Sequence, residues 1–182
     1  TWFKGDSTNY SKEGRPTVSK DLLTNLKFTP LQSRKIREEA CRKYGYAYGK
    51  TKSKGVVQVA NYRDLEGNKV AQHLRTKDKK FSWIGNAKEL QLFGQHLWQQ
   101  GGKRLVITEG EIDCLTIAQT FNLKWAVVSV PNGAPSAAKY IKQNIEFVES
   151  FDEVVIAFDS DEQGRDGAEQ IAMLLSVGKV KI

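Results

Sequence analysis

At 182 residues the chain is long enough for one sizeable domain or two small packed ones. Its 40% hydrophobic and 27% charged residues are ordinary for a soluble globular protein, and no apolar run approaches the ~20 residues needed to cross a bilayer. Two cysteines, Cys41 and Cys114, are too few for a disulfide framework or a four-cysteine zinc site, and the net charge of +7 points towards a polyanionic partner.

That charge is unevenly spread. Residues 1–102 hold 20 Lys and Arg against 9 Asp and Glu, whereas residues 103–182 hold 8 against 12. A basic front half joined to an acidic back half suggests a part that grips a polyanion beside a part that presents carboxylates; a plain solvated basic surface would show the same counts. The N-terminus, Thr1-Trp2-Phe3-Lys4, has no Met and no signal-peptide layout, so an excised fragment of a cytoplasmic protein is expected, with both thiols reduced.

Residues 1–16 mix Gly, Ser, Pro and Lys without apolar periodicity and read as an arm or linker. Thr29-Pro30 resembles an N-cap and first helical position, and Leu31, Ile36, Ala40 and Tyr44 mark a helical stripe that ends near Gly45. Val56 to Tyr62 and Lys69 to Leu74 flank Glu66-Gly67-Asn68, which predicts a β-hairpin.

From Lys103 onward, short apolar runs alternate with helical patterns. Leu105-Val106-Ile107, Trp125 to Val128 and Val154 to Phe158 read as strands. Ile112 to Phe121, Ala137 to Val148 and a segment with Ala168, Ile171, Ala172 and Leu175 read as helices, and Val180 and Ile182 could begin one further strand. Buried strands separated by helices predict a doubly wound parallel sheet, in which function collects at the carboxyl ends of the strands.

Carboxylates stand at two of those ends. Glu109 follows the first strand in Thr108-Glu109-Gly110-Glu111-Ile112-Asp113, and Asp159 and Asp161 follow the third in Phe158-Asp159-Ser160-Asp161-Glu162-Gln163-Gly164. An acid at a helix start has a plain role against the macrodipole. Two such groups, at ends of strands in one sheet, instead suit convergence on a hard cation such as Mg²⁺.

The pattern of an apolar strand followed by E-G-x-x-D, then an apolar strand followed by D-x-D-E-x-G, resembles the TOPRIM motif of primases, topoisomerases and some nucleases. Three earlier blocks, Val57 to Asp64, Arg75 to Phe81 and Leu92 to Trp98, resemble the amino-terminal half of the primase domain in tailed-phage primase–helicases, and Val128 to Ala134 is similar to that family's small-residue loop. The likeness covers roughly residues 17–182. It implies an α/β fold, with a basic α+β subdomain over 17–102 before a TOPRIM subdomain over 103–182 that is cut short at its C-terminus. It also implies DNA-templated synthesis of short RNA primers.

By the same resemblance, Glu109, Asp159 and Asp161 would bind Mg²⁺, with Mn²⁺ as a substitute, and Glu109 could instead assist activation of the 3′-hydroxyl. Asp113 would orient the cluster, while Arg63, His73, Arg75, Lys79 and Lys80 would contact triphosphate or template. The implied partners are single-stranded DNA, ribonucleoside triphosphates, the RNA product and a fused or associated helicase, in the host cytoplasm if the gene is a phage's, with no membrane. The family's zinc module is absent from this sequence, so no zinc is expected, and His73 stands where the family commonly has lysine. Two other readings are a TOPRIM nuclease or topoisomerase-like cutter and a non-catalytic nucleic-acid-binding assembly module. Outside the motifs, Trp83 could stack a base or pack in a core, Trp98 and Cys114 are expected in the core, and His73 is placed by the residues either on the hairpin surface or in the cleft.

Overall fold

The computed structural model describes residues 22–88 and 90–182, so the proposed arm over 1–16 lies outside the described residues. The chain opens with a single turn of 3₁₀ helix at Gln32–Arg34, closed by Lys35 in the left-handed region (φ 55°). Leu31 and Ile36 then pair across it as an isolated bridge, and helix α1 (Glu38–Tyr44) starts only after them. The helix expected with Thr29 as its N-cap therefore begins eight residues late. Its apolar stripe is real, because Leu31, Ile36, Ala40 and Tyr44 are all buried, but the left-handed residue interrupts the hydrogen-bond ladder. Gly45 ends α1 in the left-handed conformation, as the sequence suggests.

Strands β1 (Tyr46–Thr51), β2 (Gly55–Arg63), β3 (Lys69–Arg75) and β4 (Phe81–Gly85) form an antiparallel sheet in that order. The predicted hairpin is its centre. The register places Tyr46, Ala60, His73 and Trp83 in one row and Tyr62 beside Ala71 two residues away, so these side chains share a face. On the opposite face Val57, Val59 and Leu74 form a small separate cluster covered by Leu23 and Leu26. That cover is tied down by Gln72, which accepts from the Leu23 amide at 2.8 Å and donates to its carbonyl at 2.9 Å.

The second half is α/β. Strand β5 (Gly102–Thr108) leads to helix α2 (Glu111–Thr120), β6 (Ala126–Ser129), helices α3 (Ala137–Gln143) and α4 (Ile145–Glu149), β7 (Phe151–Ala157), helix α5 (Glu162–Leu174) and β8 (Val180–Lys181). The sheet order is β6-β5-β7-β8, with every pairing parallel. Leu105, Ile107, Val127, Val128 and Val154 are fully buried between helices, which is why these runs lack the alternation of a half-exposed strand. The single helix expected over 137–148 is broken at Asn144, whose side chain donates to the Tyr140 and Leu90 carbonyls.

One hydrophobic core serves both sheets: Tyr44, Ala60, Tyr62 and Phe93 belong to the same cluster as Leu105, Leu115, Ile141 and Ile171. Tyr44 donates its hydroxyl hydrogen bond to the Val127 carbonyl at 2.9 Å, and Phe93 bridges to Ser129 through both backbone groups. None of the described helices is long and apolar enough to cross a membrane.

Candidate active site

The first βα turn of the parallel sheet places Glu109 directly beyond β5, where Thr108 anchors the backbone by donating from its hydroxyl to the Gly110 and Val128 carbonyls. Glu109 Oε1 accepts from the Ala134 amide at 3.3 Å, whereas Oε2 is buried with no hydrogen-bond partner. Gly133 sits against this carboxylate at φ 72°. A Cβ there would lie 3.2 Å from Glu109 Oε1, so the loop after β6 needs glycine both for its backbone and for close approach.

Asp159 emerges after β7 and lines the same cavity as Glu109 and Asp113. The three act on one another electrostatically: burial, then the neighbouring charges of Asp159 and Glu109, push the Asp113 carboxyl above its usual range, with Arg34 opposing. Asp161 has a different position. It is exposed and serves as N-cap of α5, its Oδ1 accepting from the Gly164 amide at 2.8 Å. Among the described residues no group of three or more His, Cys, Asp or Glu side chains is already gathered as a metal cage. Even so, the donor set suits a hard divalent cation, because Mg²⁺ binds through one or two carboxylates plus water and substrate oxygens. The buried unpartnered Oε2 of Glu109 and the mutual repulsion felt at Asp113 are the features that a cation would relieve.

The cavity measures about 430 Å³, and its opposite wall comes from the basic sheet through His73, Arg75 and Phe81. His73 therefore faces the cleft rather than an open hairpin surface. Its ring stacks 4.3 Å from Trp83 and 5.1 Å from Phe81, and Arg75 lies 5.6 Å over the Phe81 ring. His73 Nδ1 is 2.7 Å from Glu111 Oε1, which also accepts from the Tyr62 hydroxyl at 2.9 Å. Burial by itself would raise the Glu111 carboxyl. The hydrogen bond and charge of His73, the residue's own backbone amide and the Tyr62 hydroxyl outweigh it and hold the group below the ordinary range. Trp83 closes the network by donating to Asn132 at 2.8 Å, so it packs into the wall of the cleft.

The remaining sequence candidates stand apart from the cavity. Lys79 and Lys80 lie in the exposed turn between β3 and β4, where Lys80 pairs with Asp78, and neither lines the cleft. Arg63 is at the far end of β2, donating to the Gly67 carbonyl, close enough to His96 to disfavour its charge. The structure thus brings together Glu109, Asp113, Asp159, His73 and Arg75. Glu111, Tyr62, Phe81 and Asn132 join them, though no motif in the sequence marks them. Period-two spacing from His73 carries through the register to Trp83 and Phe81, but the partners of Glu111 lie 38 and 49 residues away and leave no local pattern. Cys114 and Trp98 pack as expected, the first fully buried and the second against the core with its indole nitrogen 3.3 Å from the Val127 carbonyl.

Comparison with known proteins accounts for both halves. The family described as "Bacteriophage T7 DNA helicase/primase, N-terminal a+b fold" matches residues 27–85, and a Toprim-like family matches residues 106–182. The crystal structure of the primase fragment of the bacteriophage T7 primase–helicase protein is 41% identical, with a TM-score of 0.83 over 92% of this chain and 70% of that one. The chain belongs to the phage T7-type primase–helicase family. Within this family, the DNA helicase/primase of Enterobacteria phage T3 is 41% identical over 180 residues, which is 97% of this chain and 31% of that protein. A structure of the T7 lagging-strand DNA polymerase interacting with primase domains of two gp4 subunits, bound to an RNA/DNA hybrid and dTTP, matches with a TM-score of 0.80 and 43% identity, over 87% of this chain and 80% of that chain. The chain spans less than a third of the T3 family member's length.

Proposed function

We propose that the chain joins ribonucleotides on a single-stranded DNA template to make short RNA primers, and that the reaction takes place in the cleft between the two sheets. The observation that carries this reading is the lining of that cleft: carboxylates Glu109, Asp113 and Asp159 on one wall, and the fixed cation Arg75 with the planar groups His73 and Phe81 on the other. A triphosphate brings more negative charge than a simple phosphodiester, and a facing cation offsets it. In the T7 relative the primase domains are bound to an RNA/DNA hybrid, which fits a cleft of this composition.

Glu109 and Asp159 would hold a divalent cation, Mg²⁺ or Mn²⁺, with Asp161 at the rim. When bound, the cation offsets charge on the phosphoryl group in transfer. Glu109 would either help to hold this cation or take the proton of the attacking 3′-hydroxyl. The 3′-oxygen then bonds to the α-phosphorus, and pyrophosphate departs toward Arg75. Lys79 and Lys80, on their exposed turn beside Arg75, would reach the template or the triphosphate tail. Phe81 and His73 offer planar faces to a base. The fused helicase of the phage T3 relative is the partner proposed for the full-length protein, with single-stranded DNA, ribonucleoside triphosphates and the host cytoplasm as its surroundings.

The cleft does not favour a topoisomerase-like cutter. Such chemistry needs a tyrosine nucleophile in the cleft, and among the described residues no tyrosine lines it: Tyr44, Tyr46 and Tyr62 are buried, with hydroxyls that burial pushes above their usual range, and the half-exposed Tyr48 belongs to a separate groove beside Thr29 and Pro30. The deciding experiment is radiolabelled diribonucleotide synthesis on single-stranded DNA, run beside a nicking assay on supercoiled plasmid. Template-dependent dinucleotides that disappear in Asp159→Ala support the proposal. Metal-dependent nicking with no dinucleotide on any template overturns it.

A further inference from the structure

The TOPRIM half is acidic overall, yet three of its cations stand together. Lys103 and Arg104 open β5, and Lys124 precedes β6, at the edge of the sheet opposite Glu109. Seven residues of β5 separate the two edges, roughly 20 Å at the usual strand rise. Between these cations lies a second groove of about 490 Å³, with Trp125 and Trp98 in its walls.

Trp125 is 44% exposed, an unusual position for the residue type, and Phe121 beside it is 36% exposed. Their rings stand 5.6 Å apart at 30°, and the Arg104 guanidinium lies 5.8 Å over Trp125. Phe121, Trp125 and Arg104 therefore form a run of planar groups open to solvent. Arg104 is also paired with Glu153, whereas Lys103 and Lys124 have no ion pair among the described residues. Gly101 and Gly102 form part of the lining and leave it clear of side chains.

We propose that this groove is a second binding site for single-stranded nucleic acid, separate from the catalytic cleft. Bases stack on the Phe121–Trp125–Arg104 run, and backbone phosphates meet Lys103 and Lys124. The combination decides the class of ligand. A basic track beside exposed aromatic faces is how single strands are held without sequence preference, whereas a protein partner for exposed aromatics would not by itself call for unpaired lysines. The site gives the strand a hold at the far edge of the same sheet that carries the cleft.

The test is binding of a fluorescein-labelled oligothymidylate to the whole chain, without nucleotides or metal, so its result does not depend on the polymerase reading; failure of that reading would show separately as absence of dinucleotide. Trp125→Ala should weaken binding roughly tenfold, the loss expected for one stacked base. Lys103→Ala with Lys124→Ala should reduce the log–log salt slope by about 1.4, at about 0.7 for each phosphate released. Trp125→Phe keeps the stacking face and should restore most of the affinity. Unchanged affinity in Trp125→Ala together with an unchanged slope in the lysine pair overturns the proposal. So does a concentration-dependent dimer, seen by sedimentation, that Trp125→Ala abolishes while oligonucleotide binding persists, since the groove would then be a protein interface.

Discussion

Glu109 and Ala134 are joined by a single hydrogen bond, 3.3 Å from the Ala134 amide to Oε1, and the other carboxylate oxygen of Glu109 is buried with nothing to accept from. A carboxylate oxygen in that state costs stability until a cation meets it.

Glu109→Gln should therefore be neutral or slightly stabilising without metal, while losing most of the thermal upshift that saturating Mg²⁺ or Mn²⁺ gives the wild type. A ligand at 100 times its Kd adds about 2.7 kcal/mol, which in a chain of this size is a rise of roughly 5–10 °C. Scanning calorimetry of both proteins with and without metal reads this directly. Equal upshifts would remove Glu109 from the cation site.

The network around Glu111 predicts acid sensitivity with a definite sign. Its folded-state carboxyl lies below the ordinary range, so the folded state binds its proton less readily than the unfolded chain does. That contribution is fully present above about pH 4.5 and is lost as pH falls through the folded value. Glu111→Gln should flatten the stability profile below pH 4.5 at the cost of lower stability at neutral pH. Tyr62→Phe, which removes one donor to the buried carboxylate, should cost about 1–3 kcal/mol in urea unfolding.

His96 acts in a higher window. Burial first, then the nearby Arg63, push its imidazole down to about 4 from an ordinary value of 6.5. The unfolded chain takes up this proton as pH drops below 6.5 while the folded chain resists until about 4, so stability falls across that interval. Full burial would make the loss about 2 kcal/mol at pH 5, and partial exposure reduces it to about 1 kcal/mol. His96→Gln should remove it, measured as the difference in urea unfolding between pH 7 and pH 5.

Gly164 lies in the first turn of α5, where an added Cβ would sit 1.9 Å from the Asp159 carbonyl. Gly164→Ala must displace the turn between β7 and α5 that carries both Asp159 and Asp161. The expected result is a loss of several kcal/mol in stability and weakened metal binding, although position 164 has no ligand atom of its own. Unaltered metal affinity in a folded Gly164→Ala protein would show that the turn does not position the site.

Lys79 occupies the left-handed region at φ 61° in the turn before β4. Lys79→Gly should raise stability by roughly 1 kcal/mol through relief of that conformation, while lowering nucleotide incorporation if the charge serves the substrate. Measuring stability and incorporation on the same variant separates the two roles.

The parallel sheet was legible because each of its main strands is an apolar run with a helical period behind it, and Glu109 and Asp159 stand where such runs end. The central hairpin was legible from Glu66-Gly67-Asn68 between alternating segments. Strand β1 was not, because Tyr46-Ala47-Tyr48 directly follows a helix end without a clean alternation. Nothing in Lys35 marks a left-handed residue, so the sequence alone predicts an earlier start for helix α1. Asp161 stood in the expected motif, but whether its oxygens turn to a cation or to the Gly164 amide depends on the cap geometry. The contacts of Glu111 with His73 and Tyr62 exist only once two sheets, remote in sequence, are packed together.

That packing also limits how the cleft can work. Tyr62, whose hydroxyl reaches Glu111 on the parallel-sheet side, is buried in the core that both sheets share, and Tyr44 is bonded to the Val127 carbonyl across the junction. Swinging one sheet away from the other would tear this core open, so the two walls form a rigid frame of fixed width. Nucleotides must enter and products leave without the two sheets parting. A crosslink between the two sheets, placed away from the cleft, should therefore leave turnover intact.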